Sequence, residues 1–190
     1  TALFRFCGAG IGAGKSWIGA YDMVRRAKPR RLYMVAAPTY TLMADASFRS
    51  MEGIVRNLDL LADIARGSTP YIKLKTGAEI LFRSAHDPDM LRGPNLSGVW
   101  MDEASLMKQD AFDILIGRLR EGGELGWLTA TFTPKGKAHW TYKQSRKTDT
   151  ELFHARTDDN PFLPPTFYET RRRQYSLQQA EQELGGVFLD

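Results

Sequence analysis

The chain has 190 residues, 43% hydrophobic and 25% charged, with 26 Lys and Arg against 22 Asp and Glu for a formal charge of +4. This is a globular composition, long enough for one domain with a sizeable core or a domain plus a short appendage. No apolar run approaches the ~18 residues of a membrane span, and the single cysteine, Cys7, excludes an internal disulfide and fits a reducing compartment. The mild positive charge permits a polyanionic partner without demanding one. The opening Thr1 to Phe6 lacks the basic-then-apolar layout of a signal peptide. With no Met at position 1, the chain reads as an excised domain.

Leu3 to Cys7 is a short strand running into a glycine-rich turn, and Cys7 at its end reads as an inert buried thiol. Lys15 to Ala27 is a helix, stopped by Pro29. Leu32 to Ala37 is a continuous apolar run, as in a strand buried on both faces of a parallel sheet. Helix is expected from about Tyr40 to Arg66. Tyr71–Lys75 and Glu79–Arg83 flank Thr76-Gly77 as a hairpin inserted among the α/β units. Val99-Trp100-Met101 is another buried strand, followed by helix from about Gln109 to Arg120 and a strand at Trp127–Thr131. Helix resumes near Lys137–Arg146, and Leu152–Arg156 is a last strand. Asp159-Asn160-Pro161 and Pro164-Pro165 break the chain before two short helices between Phe167 and Leu184. Alternating strands and helices predict a mostly parallel sheet with helices on both faces. The basic runs at Arg25–Arg31 and Arg171–Arg173 read more naturally as solvated helix ends than as nucleic-acid sites.

Gly10-Ile11-Gly12-Ala13-Gly14-Lys15-Ser16 joins a strand to a helix and matches the phosphate-binding Walker pattern, except that Ala9 stands where its first glycine belongs. Glycines let successive backbone N–H groups converge on phosphate oxygens, and the helix N-terminus adds a favourable dipole. Lys15 offers charge to the β- and γ-phosphates and Ser16 a hydroxyl to Mg²⁺. The alternative is a glycine-rich turn without a ligand.

Asp102-Glu103 follows the buried strand Val99–Met101. A carboxylate at the C-terminal end of a parallel strand lies where such sheets bind ligands. Asp102 suits Mg²⁺ and Glu103 suits the orientation and deprotonation of an attacking water. An acidic helix cap is the alternative. Leu128 to Gly136 is a strand ending in hydroxyl residues and a proline turn, where Thr131 and Thr133 can sense a γ-phosphate or hold the water. Thr129 reads as β-propensity.

The ordered set of Walker loop, Val35-Ala36-Ala37-Pro38-Thr39-Tyr40, Leu91-Arg92-Gly93, Trp100-Met101-Asp102-Glu103-Ala104 and Thr131-Phe132-Thr133-Pro134-Lys135-Gly136 resembles the ATPase domain of tailed-phage large terminase subunits. Asp159-Asn160-Pro161 and the closing Glu183 to Asp190 extend the similarity over nearly the whole chain.

The resemblance implies an α/β P-loop NTPase of the additional-strand, catalytic-glutamate type. It has a mostly parallel sheet flanked by helices, a small β-hairpin insertion and a C-terminal helical lid. Residues 1–160 would be the ATPase core and 161–190 a lid or linker toward a nuclease domain, with no nuclease activity expected of this stretch.

The implied activity is hydrolysis of ATP with Mg²⁺, driving double-stranded DNA into a procapsid. The implied partners are the portal protein, the small terminase subunit and further copies of the chain in a ring, usually of five subunits, in the host cytoplasm and without a membrane. Nucleotide would contact Ala9, Gly10, Ile11, Gly12, Ala13, Gly14, Lys15, Ser16 and Trp17, with metal on Ser16 and Asp102. Catalysis would fall to Glu103, Lys15, Thr131, Thr133 and Arg92, the last as a finger reaching a neighbour's nucleotide; a local salt bridge from Arg92 to Asp87 or Asp89 is the even alternative. Many terminases carry Arg where this chain has Ile11, which shifts weight to Arg92. A helicase-like or recombination-type DNA-dependent ATPase shares the same core motifs. A slow-turnover nucleotide-binding module is a third reading, against which Glu103 argues.

Overall fold

The order of strands places the phosphate loop beside the acidic pair. A computed structural model describes residues 3–190; Thr1 and Ala2 lie outside the described residues. The strands are β1 (Phe4–Ala9), β2 (Leu32–Ala37), β3 (Leu61–Ala65), β4 (Tyr71–Leu74), β5 (Glu79–Ser84), β6 (Gly98–Asp102), β7 (Trp127–Phe132) and β8 (Thr150–Ala155). They form one eight-stranded sheet in the order β3-β4-β5-β2-β6-β7-β1-β8. From β5 to β8 every neighbouring pair is parallel. Strand β7 therefore separates the phosphate-loop strand β1 from β6, which is the additional-strand arrangement, and Thr131 lies level with both Cys7 and Asp102.

The helices are α1 (Lys15–Arg26), α2 (Tyr40–Leu42), α3 (Arg49–Asn57), α4 (Gln109–Ile116), α5 (Trp140–Ser145), α6 (Phe167–Gln174) and α7 (Leu177–Glu183), with a π-helical turn, Met43–Phe48, joining α2 to α3. Strand β2 shows why its apolar run is unbroken. Tyr33, Val35 and Ala37 pack with Met23 of α1 and Met51 of α3 on one face, while Met34 and Ala36 pack with Phe112 of α4 and Trp140 of α5 on the other. Side chains alternate along a strand, so burial on both faces demands apolar residues at every position. Helix α1 comes close to the sheet because Gly19 has no side chain; a Cβ there would fall 2.3 Å from the Trp100 indole. Among the described residues, no helix is long and apolar enough to cross a membrane.

Two helix ends differ from the sequence reading. Helix expected to Arg66 ends at Asn57, because Asp59 takes a left-handed φ of 54° and turns the chain back into β3. The apolar residues Leu61 and Ile64 satisfy a strand against β4 as well as they would a helix face. The hairpin of β4 and β5 is present and fused into the main sheet, with β5 antiparallel to β4 and parallel to β2. Helix α4 stops at Ile116, ahead of Gly117, and does not reach Arg120.

The basic run after α1 is largely spent on local carboxylates. Lys28 and Arg31 pair with Glu124, and Arg25 and Arg26 pair with Asp22. Asp22 also receives Arg5 at 3.1 Å and the Thr129 hydroxyl at 2.8 Å, so Thr129 has a structural partner beyond its strand preference. Burial alone would raise the Asp22 pKa; the Thr129 hydrogen bond and Arg26, Arg25 and Arg5 outweigh it and hold the carboxyl below its ordinary value.

A depressed folded-state pKa contributes stability that is present above the unfolded value of about 3.9 and is lost as pH falls through the folded one. Urea midpoints should accordingly drop more steeply below about pH 4 in the wild type than in Asp22→Asn. Parallel pH profiles would contradict this role for the cluster.

Candidate active site at the ends of strands β1 and β6

The loop after β1 is shaped by two left-handed glycines, Gly12 (φ 74°) and Gly14 (φ 90°), the second capping α1. A side chain is strained at such angles, so glycine is required there. Ala9 has no such demand. It ends β1 in regular pairing with Ala155 and takes no left-handed backbone, which explains why Ala substitutes for the first glycine of the pattern. The Gly10 amide donates to Ala155 O and the Ile11 amide to Glu183 O. The amides of Gly12, Gly14, Lys15 and Ser16 have no acceptor among the described residues. They form an anion cradle at a helix N-terminus. The Lys15 side chain is buried and folds back, with Nζ donating to Gly10 O at 3.0 Å and lying 4.0 Å from Glu103 Oε1.

Asp102 ends β6 and is 1% exposed. Three hydroxyls converge on it: Ser47 donates to Oδ2 at 2.8 Å, and Thr131 (2.9 Å) and Ser16 (3.3 Å) donate to Oδ1. Burial raises the Asp102 pKa, opposed by those three hydrogen bonds and by Lys15. The Trp100 indole N–H donates to Thr131 Oγ1 at 2.8 Å. The Thr131 hydroxyl has Asp102 Oδ1 as its nearer acceptor at 2.9 Å and Met101 O as a longer one at 3.4 Å. Thr131 is fully buried, so the structure places it on the carboxylate and away from open solvent.

Glu103 follows with a left-handed φ of 52°, one of three non-glycine residues so placed among the described residues. Such a conformation costs of order 1–3 kcal/mol and persists where surroundings enforce it. Here it turns the side chain out of the strand, 30% exposed, against Lys15. Burial raises its pKa, with Asp102 and Glu183 adding to the rise; Lys15 and the Thr133 backbone N–H oppose it. Thr133 thus bears on Glu103 from the backbone beyond β7.

Lys15, Ser16, Asp102, Glu103, Thr131 and Thr133 thus form one site. Arg92 stands apart. It is exposed, pairs with Asp89 at 2.8 Å, and lines a different cleft with Lys108, Asp110 and Arg118. Trp17 lines a cavity running off the phosphate loop, and Ile11 is at the surface. Cys7 lines the same cavity; burial pushes its thiol up despite the pull of Lys15, so it stays protonated.

Sequence reasoning did not find Ser47, Trp100 as a donor, or the clasp on the loop. In that clasp Thr157 Oγ1 donates to Ile11 O and Asn160 Nδ2 donates to Gly12 O, both at 2.7 Å. Only Asn160 carried a signal, within the Asp-Asn-Pro break. Ser47 carried none, because its approach depends on the π turn, a rarity that recurs at functional sites.

An additional-strand sheet, an anion cradle and a strand-end Asp-Glu pair define a P-loop NTPase. The family model described as phage terminase large subunit matches residues 2–181, and the chain belongs to that family. It is similar to the PBSX phage terminase large subunit of Bacillus subtilis (strain 168), 28% identical over 189 aligned positions covering 86% of this chain and 44% of that protein. Among solved structures, the large terminase of a thermophilic bacteriophage superposes with a TM-score of 0.86 at 18% identity, covering 99% of this chain and 49% of that one. That phage's large terminase has also been solved in complex with ADP. The ATPase domain of the Thermus phage P74-26 large terminase gives 0.75 at 24% identity, covering 100% and 90%. The chain thus spans about half the length of the full-length relatives it matches.

Ser47→Ala removes the shortest of the hydroxyl contacts and leaves a buried carboxylate oxygen unpartnered. A loss of about 1–3 kcal/mol is expected, read as a lowered urea midpoint in metal-free buffer. An unchanged midpoint would show that Ser47 does not hold Asp102.

Proposed function

We propose that this chain is the motor ATPase of a large terminase subunit, hydrolysing ATP to drive double-stranded DNA into a procapsid. The observation that carries the reading is the convergence of the Lys15 ammonium, the Ser16 hydroxyl and the Asp102 and Glu103 carboxylates beside an open amide cradle.

The chemistry follows from positions. The free amides of Gly12, Gly14, Lys15 and Ser16 take phosphate oxygens. Lys15, released from Gly10 O, meets the β- and γ-phosphate charge. Glu103, turned outward beside Lys15, orients a water and accepts its proton. Ser16 and Asp102 offer hard oxygen donors 3.3 Å apart, a set that fits Mg²⁺, which is held through one or two carboxylates plus phosphate and water and needs no larger protein cage. When bound, the metal neutralises β- and γ-oxygen charge. Thr131 acts by positioning Asp102.

Residues 1–160 are proposed as the ATPase core and 161–190 as its lid. In support, β8 is the last sheet strand and α6 and α7 follow it, with Leu163 and the α6 residue Phe167 closing over Gly12. The working state is proposed as a ring of five subunits at the portal in the host cytoplasm, engaging DNA without reading sequence, together with portal protein and the small subunit. Arg92 is the proposed trans finger. Its exposed ion pair with Asp89 is worth at most about 1 kcal/mol and is readily given up to a neighbour's nucleotide.

Glu103→Gln should abolish ATP hydrolysis while leaving ATP binding intact; undiminished turnover would remove Glu103 as the base. If the finger comes from a neighbour, the rate per wild-type subunit should rise with protein concentration and that rise should vanish in Arg92→Ala. Rates independent of concentration in both proteins would defeat the trans role.

A further inference from the structure

A cavity of about 760 Å³ opens from Ala13, Gly14 and Lys15 of the phosphate loop. That volume lies within the roughly 300–1,000 Å³ of small-molecule sites. Trp17 and Ile18 of α1 line it, as do Phe153 of β8 and Pro161 and Phe162 of the loop beyond. Trp17 is expected to touch nucleotide, but the phosphate chemistry gives no part to its ring or to those of Phe153 and Phe162. We propose that they hold the nucleobase of the bound triphosphate by stacking, with little hydrogen-bond readout, so that the domain takes ATP and GTP nearly equally. The inference rests on the phosphate-loop reading above.

The direction in which a triphosphate must lie supports the assignment. Glu103 follows β6, two strands to one side of β1, while β8 borders β1 on the other. The γ-phosphate has to face Glu103, because that is the group positioned to handle the attacking water. A phosphate chain laid across the loop then sends its nucleoside toward β8, where the cavity opens.

The rings are arranged for stacking. Trp17 lies parallel to Tyr21, with centroids 5.3 Å apart and planes 6° apart. One indole face is thereby covered, and the ring, still 56% exposed, keeps the other for a third partner. Phe162 is 93% exposed, an apolar ring left in water at the cavity wall.

Polar side chains around the cavity are each tied to backbone through at least one atom, which fixes their orientation. His154 Nε2 pairs with Gly185 O at 2.7 Å, and Asp159 accepts from the Arg156 amide at 2.7 Å. Asn160 donates to Gly12 O at 2.7 Å and accepts from the Phe162 amide at 3.0 Å. A site that reads a base edge leaves polar groups free for it and rejects the wrong partner strongly. Stacking tolerates any base, since each has a π-face.

The test is calorimetric titration of the domain, in Mg²⁺, with ATP, GTP and inorganic tripolyphosphate. ATP and GTP should bind within about tenfold of each other, and both roughly ten- to a hundredfold tighter than tripolyphosphate, the range that base stacking supplies. Trp17→Ala should bring both nucleotides down to the tripolyphosphate level, Phe162→Ala should weaken them in the same direction, and Trp17→Phe should restore most of the difference. Nucleotides binding no better than tripolyphosphate would overturn the aromatic slot and leave the phosphate loop standing. A preference for ATP over GTP beyond about a hundredfold would overturn recognition by stacking. Failure of all three to bind, with Lys15→Ala indistinguishable from wild type, would refute the phosphate-loop reading itself.

Discussion

A single buried carboxylate sets the geometry of this domain. Asp102 sits at the end of a central strand, almost wholly removed from water. An ionised carboxylate in that position costs several kcal/mol unless hydrogen bonds replace its hydration. The replacement comes from three parts of the fold, through Ser16 of α1, Ser47 of the π turn and Thr131 of β7. Each hydroxyl must arrive within bonding distance, so helix, turn and neighbouring strand are brought to register on one group. Trp100 adds a further tie by holding Thr131 from below, and the absence of a side chain at Gly19 lets α1 close over that indole.

The same economy governs the phosphate loop. Its inward amides stay open for anions, while its other polar groups are tied to the C-terminal part of the chain. Ile11 gives its amide to Glu183 O and receives Thr157 on its carbonyl; Gly12 receives Asn160. Glu183 lies in α7, and Leu163, ahead of α6, and Phe167, within it, press on Gly12. A loop held on both sides cannot shift around a phosphate without moving these contacts. These bonds tie the loop to the C-terminal part of the chain.

Charge is distributed unevenly between structure and chemistry. Arg5, Arg25 and Arg26 are gathered around Asp22, and Thr129 completes that cluster on the sheet. Lys28 and Arg31 are taken by Glu124. Arg92 has only an exposed partner, and Ile11 supplies no charge to the loop. The cations nearest α1 thus stabilise the domain, whereas the proposed finger stands at a surface cleft.

Much of the candidate site was legible in the sequence because its geometry depends on chain-local order. Gly14-Lys15-Ser16 must follow a strand and open a helix, and Asp102-Glu103 must end a buried strand; both conditions show as apolar runs meeting polar residues. Continuous apolar runs likewise determined β2 and β6 as interior strands. Local pattern was ambiguous at Leu61–Ala65, where the same apolar spacing fits helix or strand and pairing with β4 decided. It was silent about Ser47, whose hydroxyl reaches Asp102 only through a π turn across 55 residues of chain. It could not say that Trp100 donates to Thr131 beside Asp102, or that Glu103 is turned outward by a left-handed backbone. The sequence by itself determined which groups carry charge and which strands are buried, since composition and period state these directly. The tertiary structure alone decided which group faces which, because hydrogen bonds between distant segments are fixed by packing and leave no periodic trace in the chain.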